Sequence, residues 1–109
     1  MSFMEDVAFL GEVAGFAGEM AARPLAVVPE EWQEHCDFLD GKLTELLAQS
    51  AYRRELGNFA PLLITALRRA LAARRAGDER GAGKWDCLVG HLTPLVREDG
   101  AAILARAKG

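Results

Sequence analysis

Apolar and polar positions alternate with helical spacing at the start of the chain. Between residues 3 and 20, apolar side chains recur every three or four positions, whereas Glu5, Glu12 and Glu19 lie seven apart on another face. This spacing predicts a first amphipathic helix, because residues three and four apart share one side of an α-helix. The apolar face consists of Phe3, Val7, Leu10, Val13, Ala14, Ala17 and Met20.

Three glycines lower the intrinsic helix propensity of this first segment. They are Gly11, Gly15 and Gly18. A glycine leaves the backbone less restrained than any residue with a Cβ atom. Either a partner helix approaches closely at these positions, or the helix depends on tertiary contacts.

A second helix is predicted after a connection at residues 22–29. Pro24 and Pro29 disfavour helix at the residues before them, and Pro29 suits a first helical turn. Glu30 and Glu31 follow near the positive end of the helix dipole. A seam of six positions then steps by four and three, which is a spacing suited to nearly antiparallel bundle packing. The seam is Trp32, Cys36, Leu39, Leu43, Leu46 and Ser50.

A third helix is predicted from about residue 59 to residue 76. Residues 52–56 extend the second helix or form a short one, and Gly57 then provides a stop while Asn58 caps the next start. Pro61 falls in the first turn, where its missing N–H is tolerated. The buried stripe is Ala60, Leu63, Ile64, Leu67 and Leu71.

The sequence pattern in the last third of the chain predicts a loop followed by a helix with an interruption. Residues 76–84 combine glycine with charge, which is typical of a surface loop. The face that follows is interrupted at Thr93 and Pro94, where Thr93 is able to cap a new start, so we expect a kink or a fresh helix. Residues 99–109 predict a short final helix that frays. The fourth face is Trp85, Leu88, Val89, Leu92, Leu95 and Val96.

Composition then bounds the fold. The chain has 109 residues, which is the size of one domain, so we expect residues 1–109 to form a single helical-bundle domain. Half of the residues are apolar and only 7% are aromatic, which favours helices packed on helices over a sheet. The predicted fold class is all-α, a compact bundle of four to five helices. With no basic start, no apolar span and two cysteines, we expect a cytoplasmic protein without membrane contact or disulfide.

Charge divides the chain into two unequal halves. Residues 1–50 hold ten acidic residues and two basic ones, whereas residues 51–109 hold eleven basic residues and six acidic ones. The overall charge of −3 conceals this division. Such asymmetry indicates either a polyanionic partner or copies of the chain that meet head to tail.

The basic residues concentrate on and around the third predicted helix. On a helical projection Arg68 and Arg75 flank its apolar stripe on one side, Arg74 flanks it on the other, and Arg69 faces away. Other basic residues, including Arg80, lie just before and after this helix. A patch of this kind suits a phosphate backbone, and it lacks the interleaved aromatics that stack bases. The predicted nucleic-acid contacts are Arg53, Arg54, Arg68, Arg69, Arg74, Arg75 and Lys84.

Residues able to hold a metal or perform catalysis are few. His35 and Cys36 are adjacent on one predicted helix and therefore point apart, while Cys87 and His91 lie one turn apart elsewhere, so we expect no metal site. The sequence has no glycine-rich phosphate loop, nucleophile elbow or carboxylate–histidine motif. We therefore expect a protein without catalytic activity and without a cofactor.

Residues 52–96 contain a series of features in a definite order. These are Tyr52, Pro61-Leu62 with Ile64, Leu67 and Leu71, a charged loop with glycine, Trp85, Leu88, His91-Leu92 and Leu95. In this order the segment resembles the small helical subunit of type III, or related, CRISPR-Cas effector complexes. The chain has Thr65-Ala66-Leu67 where that family often has Asn-Gly-Leu, and its first helix has no counterpart there.

The resemblance implies a non-catalytic bundle, present in several copies, that stacks against other subunits of a ribonucleoprotein. It implies contact with the guide–target duplex or a displaced strand through basic residues beside the matching helix. Carried over position by position, these are Arg53, Arg54, Arg68, Arg69, Arg74 and Arg75.

Other functions remain open at the level of sequence. The leucine-rich seam of residues 36–47 is suited to an adaptor or chaperone that holds a peptide or partner helix. The acidic helices of one copy are able to meet the basic helix of the next, which gives a head-to-tail stack. A plain homodimeric bundle is the third possibility.

Overall fold

The computed structural model describes residues 3–109, which form five α-helices and no strand. The helices are α1 (Phe3–Ala21), α2 (Glu31–Gln49), α3 (Arg53–Leu56), α4 (Ala60–Arg75) and α5 (Glu79–Lys108). The prediction of an all-α bundle of four to five helices is confirmed, and α3 is the short helix that was one of two possibilities for residues 52–56. No helix within residues 3–109 has both the length and the apolar content that crossing a bilayer requires.

The four long helices run alternately up and down. Lys42 near the end of α2 bonds Glu5 near the start of α1, whereas Phe16 near the end of α1 meets Trp32 at the start of α2. Helix α5 packs most extensively, against both α1 and α4, and α2 packs against α4. The α1 and α2 backbones stay farther apart than those of the other adjacent pairs, so these two helices meet mainly through side chains.

The core contains the apolar faces that the periodicity predicts for α1, α2 and α4. All six residues of the α2 seam are buried, including Ser50, whose hydroxyl donates to the buried Asp6 carboxylate at 2.5 Å. Phe3 and Val7 lie at the edge of the core and are half-buried. Leu88, predicted on the fourth apolar face, is exposed.

Helix α5 is continuous where the sequence predicts a loop. Only residues 76–78 separate α4 from α5, so the predicted loop at residues 76–84 is mostly helical. Asp78 caps the helix by accepting a hydrogen bond from the Gly81 N–H at 2.9 Å, and Ala82 is fully buried. The N-cap and the packing of Ala82 outweigh the low helix propensity of the glycines around it.

The fresh helix start, one of the two alternatives predicted at Thr93 and Pro94, is also wrong. The Thr93 hydroxyl donates to the Val89 carbonyl at 2.7 Å inside a single helix, instead of capping a new one. Pro94 removes only the N–H that would bond the Gly90 carbonyl, and both residues are exposed, so water is able to satisfy that carbonyl. A helix of 30 residues is about 45 Å long. It therefore accounts for the longest dimension of the molecule, 46 Å.

Candidate nucleic-acid interface

The charge division of the sequence becomes a division between two sides of the bundle. Helix α1 carries four acidic residues and no basic one, and α2 carries five acidic residues and a single cation. Helix α4 carries four arginines and no acidic residue, and α5 is nearly balanced, with five basic and four acidic residues. Because α1 and α2 are neighbours and α4 packs on α5, we call these pairs the acidic side and the basic side.

Arg74 does not belong to the surface of the basic side. Its side chain is fully buried, and its guanidinium donates to the carbonyls of Met20 and Pro24 at 3.0 Å each. It also forms an ion pair with Asp86 at 2.8 Å and lies 5.6 Å from the centre of the Trp32 ring. The expectation that Arg74 flanks the apolar stripe and contacts nucleic acid is therefore corrected.

The sequence contains a signal for the burial of Arg74. Arg74 follows Leu71 by three positions and Leu67 by seven, so it continues the buried stripe of α4. A guanidinium in such a position is tolerated because backbone carbonyls and a carboxylate satisfy most of its donors.

Arg68 is neutralised by carboxylates of its own chain. Its guanidinium lies 2.9 Å from the Asp37 carboxylate and 3.5 Å from that of Asp40, both on α2. These residues are about thirty positions apart in sequence, and only the packing of α2 against α4 brings them together. A phosphate that binds Arg68 has to compete with two carboxylates already in place.

Three of the predicted contacts lie on the last two turns of α4 or the first two turns of α5. Arg69, Arg75 and Lys84 are exposed there, as is Arg80. Arg69 lies on the flank of α4 that faces α5, beside Trp85, whereas Arg75 acts electrostatically on Cys36 and lies on the flank toward α2. We call these four residues the α4–α5 corner. Within residues 3–109, no carboxylate forms an ion pair with any of them.

An aromatic ring supports one residue of the α4–α5 corner. The Arg69 guanidinium lies 5.4 Å from the centre of the Trp85 ring, which is within the range of a cation–π interaction. Trp85 is half-buried, so it orients Arg69 without removing its charge from solvent. This contact leaves the N–H groups of the guanidinium free to donate to an anion.

Arg53 and Arg54 lie at the opposite end of α4. The 16 residues of that helix separate them from Arg75 by about 24 Å. The single patch predicted from sequence is therefore two groups of cations. That prediction assumed that residues just before and just after α4 in sequence lie close together. They lie at opposite ends of the helix, and its length separates them. Arg54 lines a cavity of about 530 Å³ that also contains Glu55 and Asp99.

The cysteines and histidines do not converge. Cys36 is buried on α2 and Cys87 is exposed on α5, and both thiols are free. The Cys87 sulfur lies 3.9 Å from Nδ1 of His91, whereas His35 stacks on Phe16 with ring centres 4.3 Å apart. Burial raises the pKa of the Cys36 thiol to about 11, which makes it a poor ligand and nucleophile at neutral pH. No group of three such ligands is found within residues 3–109.

The leucine-rich seam does not form an open groove. Leu39, Leu43 and Leu46 are all buried in the core of the bundle itself. The expectation that residues 36–47 hold a peptide or partner helix is corrected, because the other helices of the chain already occupy that face. One large apolar residue of α2 does face solvent, since Phe38 is 56% exposed.

Comparisons with protein-family models, curated proteins and solved structures find no match for this chain.

Proposed function

We propose that this protein is a non-catalytic small subunit of a cytoplasmic CRISPR-Cas ribonucleoprotein. In this proposal, the α4–α5 corner of the basic side contacts the backbone of guide or target nucleic acid. The observation that carries the proposal is the α4–α5 corner, where Arg69, Arg75, Arg80 and Lys84 are exposed and unpaired with carboxylates. Arg68 contributes less, because Asp37 and Asp40 already neutralise it.

The chemistry of the α4–α5 corner favours phosphate over bases. Arginine and lysine bound to phosphates release counterions, so affinity falls with salt and does not depend on sequence. Four contacts on a duplex correspond to a slope of about −3 to −4 in log affinity against log salt concentration. Such binding is weak for one copy and becomes useful when several copies sit on one strand.

Arg53 and Arg54 extend the proposal to a second contact. They lie about 24 Å from Arg75 along α4, so they belong to a different stretch of backbone or to a neighbouring subunit. Head-to-tail association of copies, with the acidic side of one against the basic side of the next, stays a prediction.

The test is the binding of labelled single-stranded and duplex RNA, measured by fluorescence anisotropy over a salt series. The variant Arg75→Glu with Lys84→Glu removes two cations of the α4–α5 corner. Its matched control is Arg97→Glu with Lys108→Glu, which makes the same change in net charge at exposed positions away from the corner. We expect the first variant to lose at least about tenfold in affinity at low salt and to show a shallower salt slope.

Two results contradict the proposal. One is the absence of RNA binding by the wild-type protein at low salt, including in the presence of its partner subunits. The other is an equal loss of affinity in both double variants, which identifies net charge rather than the α4–α5 corner as the cause.

A further inference from the structure

A shallow groove runs between α1 and α2 on the acidic side. Its volume is about 190 Å³, and its apolar lining is Ala8, Phe9 and Phe38. The groove exists because the backbones of α1 and α2 stay apart while side chains connect them. An apolar cavity of about 150 Å³ accommodates a benzene ring, so this groove has room for one aromatic or leucine-sized side chain.

Phe38 at the rim of the groove is held by an aromatic stack. The His35 ring lies parallel to that of Phe16 at 4.3 Å, and Phe38 meets His35 edge to face at 6.5 Å. These contacts orient Phe38, yet 56% of the residue remains exposed to solvent. An exposed aromatic side chain beside a groove is typical of an anchor point in a protein interface.

The rim of the groove is acidic. Glu5 and Glu12 line it, and the one cation there, Lys42, is paired with Glu5 at 2.8 Å. Lys42 is also the only basic residue within α1 and α2, which together hold nine acidic residues. Within residues 3–109 no cation forms an ion pair with Glu12.

The three glycines of α1 leave open space on its outer surface. A Cβ atom added at Gly11, Gly15 or Gly18 meets no atom within 4 Å, so the first of the two alternatives, close approach of another helix, is not provided by this chain. Gly11 lies on the flank of α1 that faces α5, beside Arg97 and Gly100, and none of the three glycines lines the α1–α2 groove.

We propose that the α1–α2 groove docks an amphipathic helix of a protein partner, with one large apolar side chain beside Phe38 and lysine or arginine residues above Glu5 and Glu12. Charge complementarity selects this occupant, because the field of the acidic side repels nucleic acid and attracts cations. The choice of a separate partner over a second copy rests on the proposed function, in which nucleic acid occupies the α4–α5 corner of every copy. Head-to-tail association of copies is the competing use of the acidic side, and the self-association measurement below decides between the two.

The test uses two labelled synthetic peptides with the same leucine and phenylalanine face. One carries lysine and arginine on its polar face and the other carries glutamate, and binding to the full chain is measured by fluorescence anisotropy. We expect the basic peptide to bind and the acidic peptide not to bind. Backbone amide shifts in an NMR titration should concentrate at Ala8, Glu12 and Phe38.

Two matched variants test the anchor. Phe38→Ala should lower the affinity for the basic peptide at least about tenfold. Leu62→Ala, at an equally exposed apolar position on α4, should leave its affinity unchanged. Both positions are exposed, so both variants should fold, which thermal melts verify. Glu12→Gln should weaken binding several-fold and reduce its dependence on salt, whereas Glu79→Gln should not.

Several results overturn this inference. Failure of the basic peptide to bind overturns it, as does equal binding of both peptides or an equal effect of the two alanine variants. Self-association of the wild type that Phe38→Ala abolishes identifies a second copy as the occupant and also overturns it. RNA binding is measured separately, so a protein that binds the peptide through Phe38 but binds no RNA retains this inference and loses the proposed function.

Discussion

Arg74 connects three segments of the bundle through one guanidinium. It donates to Met20 at the end of α1 and to Pro24 in the following connection, and it pairs with Asp86 of α5. Because the side chain is fully buried, its removal leaves the Asp86 carboxylate without its donor, whereas the Met20 and Pro24 carbonyls keep only their backbone donors, the N–H groups of Arg23 and Val27. Arg74 is thus a structural residue. The other arginines of α4 are exposed to solvent or form ion pairs at the surface.

We expect Arg74→Ala to lower the free energy of unfolding by roughly 3–5 kcal/mol, the usual cost of removing one partner of a buried ion pair. Arg75→Ala, the neighbouring exposed position, should change it by less than about 0.5 kcal/mol. Urea denaturation of both variants measures the difference. Similar losses of unfolding free energy in the two variants would show that Arg74 is not buried among these hydrogen-bond partners.

Asp99 is a buried carboxylate that is only half satisfied. It is 8% exposed, its Oδ1 accepts from the Asn58 amide at 3.1 Å, and Oδ2 has no hydrogen-bond partner. Burial raises the pKa of Asp99 above its ordinary value, although the Asn58 hydrogen bond opposes this shift. The folded state therefore binds the proton more tightly than the unfolded chain does.

The sign of the pH effect follows from this raised pKa. Protonated Asp99 contributes its full stability below the pKa of the unfolded chain, and this contribution is lost as pH rises through the higher pKa of the folded state. Asp99→Asn stays neutral, so we expect it to be more stable than wild type at pH 7 and nearly equal in acid. Melting temperatures at both pH values test this, with Glu19→Gln, an exposed carboxylate on α1, as the control. A benefit that is equally large in acid would contradict the assignment.

At the scale of elements, the turn between α4 and α5 depends on one glycine. Gly77 has a φ of 71°, which places it in the left-handed region, and the Asp78 N–H donates back to the Ala73 carbonyl at 2.9 Å. This arrangement ends α4 in the manner of a Schellman motif. A side chain at Gly77 is strained in this conformation even though there is space for it.

We expect Gly77→Ala to destabilise the protein by about 1 kcal/mol. Gly83→Ala should have the opposite sign and stabilise it by about 0.5–1 kcal/mol, because Gly83 lies inside α5 and an added Cβ meets only open space. Chemical denaturation of the two variants checks both signs. Destabilisation by Gly83→Ala would contradict the helical assignment of residues 79–84.

At the scale of the whole molecule, stability depends on one core shared by the four long helices. Leu67 is fully buried at the centre of α4, whereas Leu62 on the same helix is 56% exposed. We expect Leu67→Ala to cost roughly 2–5 kcal/mol, the usual range for a cavity in a core. The melting temperature should fall by about 4–8 °C for each kcal/mol in a domain of this size.

Leu62→Ala is the control for this core prediction. Its expected effect is below about 0.5 kcal/mol, because the side chain is already in contact with solvent. Equal melting temperatures for the two variants would show that the buried face of α4 is misassigned.

The two proposed binding surfaces lie on different sides of the bundle. The α4–α5 corner is suited to phosphate, and the α1–α2 groove is suited to a basic helix. They lie on different helix pairs, so one copy is able to bind both ligands at once. Binding of RNA and of the basic peptide should therefore be measurable on the same molecule.

The sequence by itself determined the helices α1, α2 and α4 and most of the positions they bury, although the predicted faces omit the buried Phe9, Phe16 and Arg74. Periodicity at three and four residues is a local property, so it is legible without knowledge of the neighbours. The same local reasoning failed at residues 79–84 and at Pro94. The helix-breaking tendency of glycine and proline is smaller there than the stabilisation from packing of Ala82 and of the buried face that continues along α5.

Only the tertiary structure decided which arginines remain free. Arg68, Arg69, Arg74 and Arg75 are chemically identical and lie within eight positions, yet one is paired, one is supported by an aromatic ring, one is buried and one is exposed. Their partners come from α1, α2 and α5, more than ten positions away in sequence. The electrostatic role of a charge depends on its neighbours in space, and folding alone brings those neighbours to it.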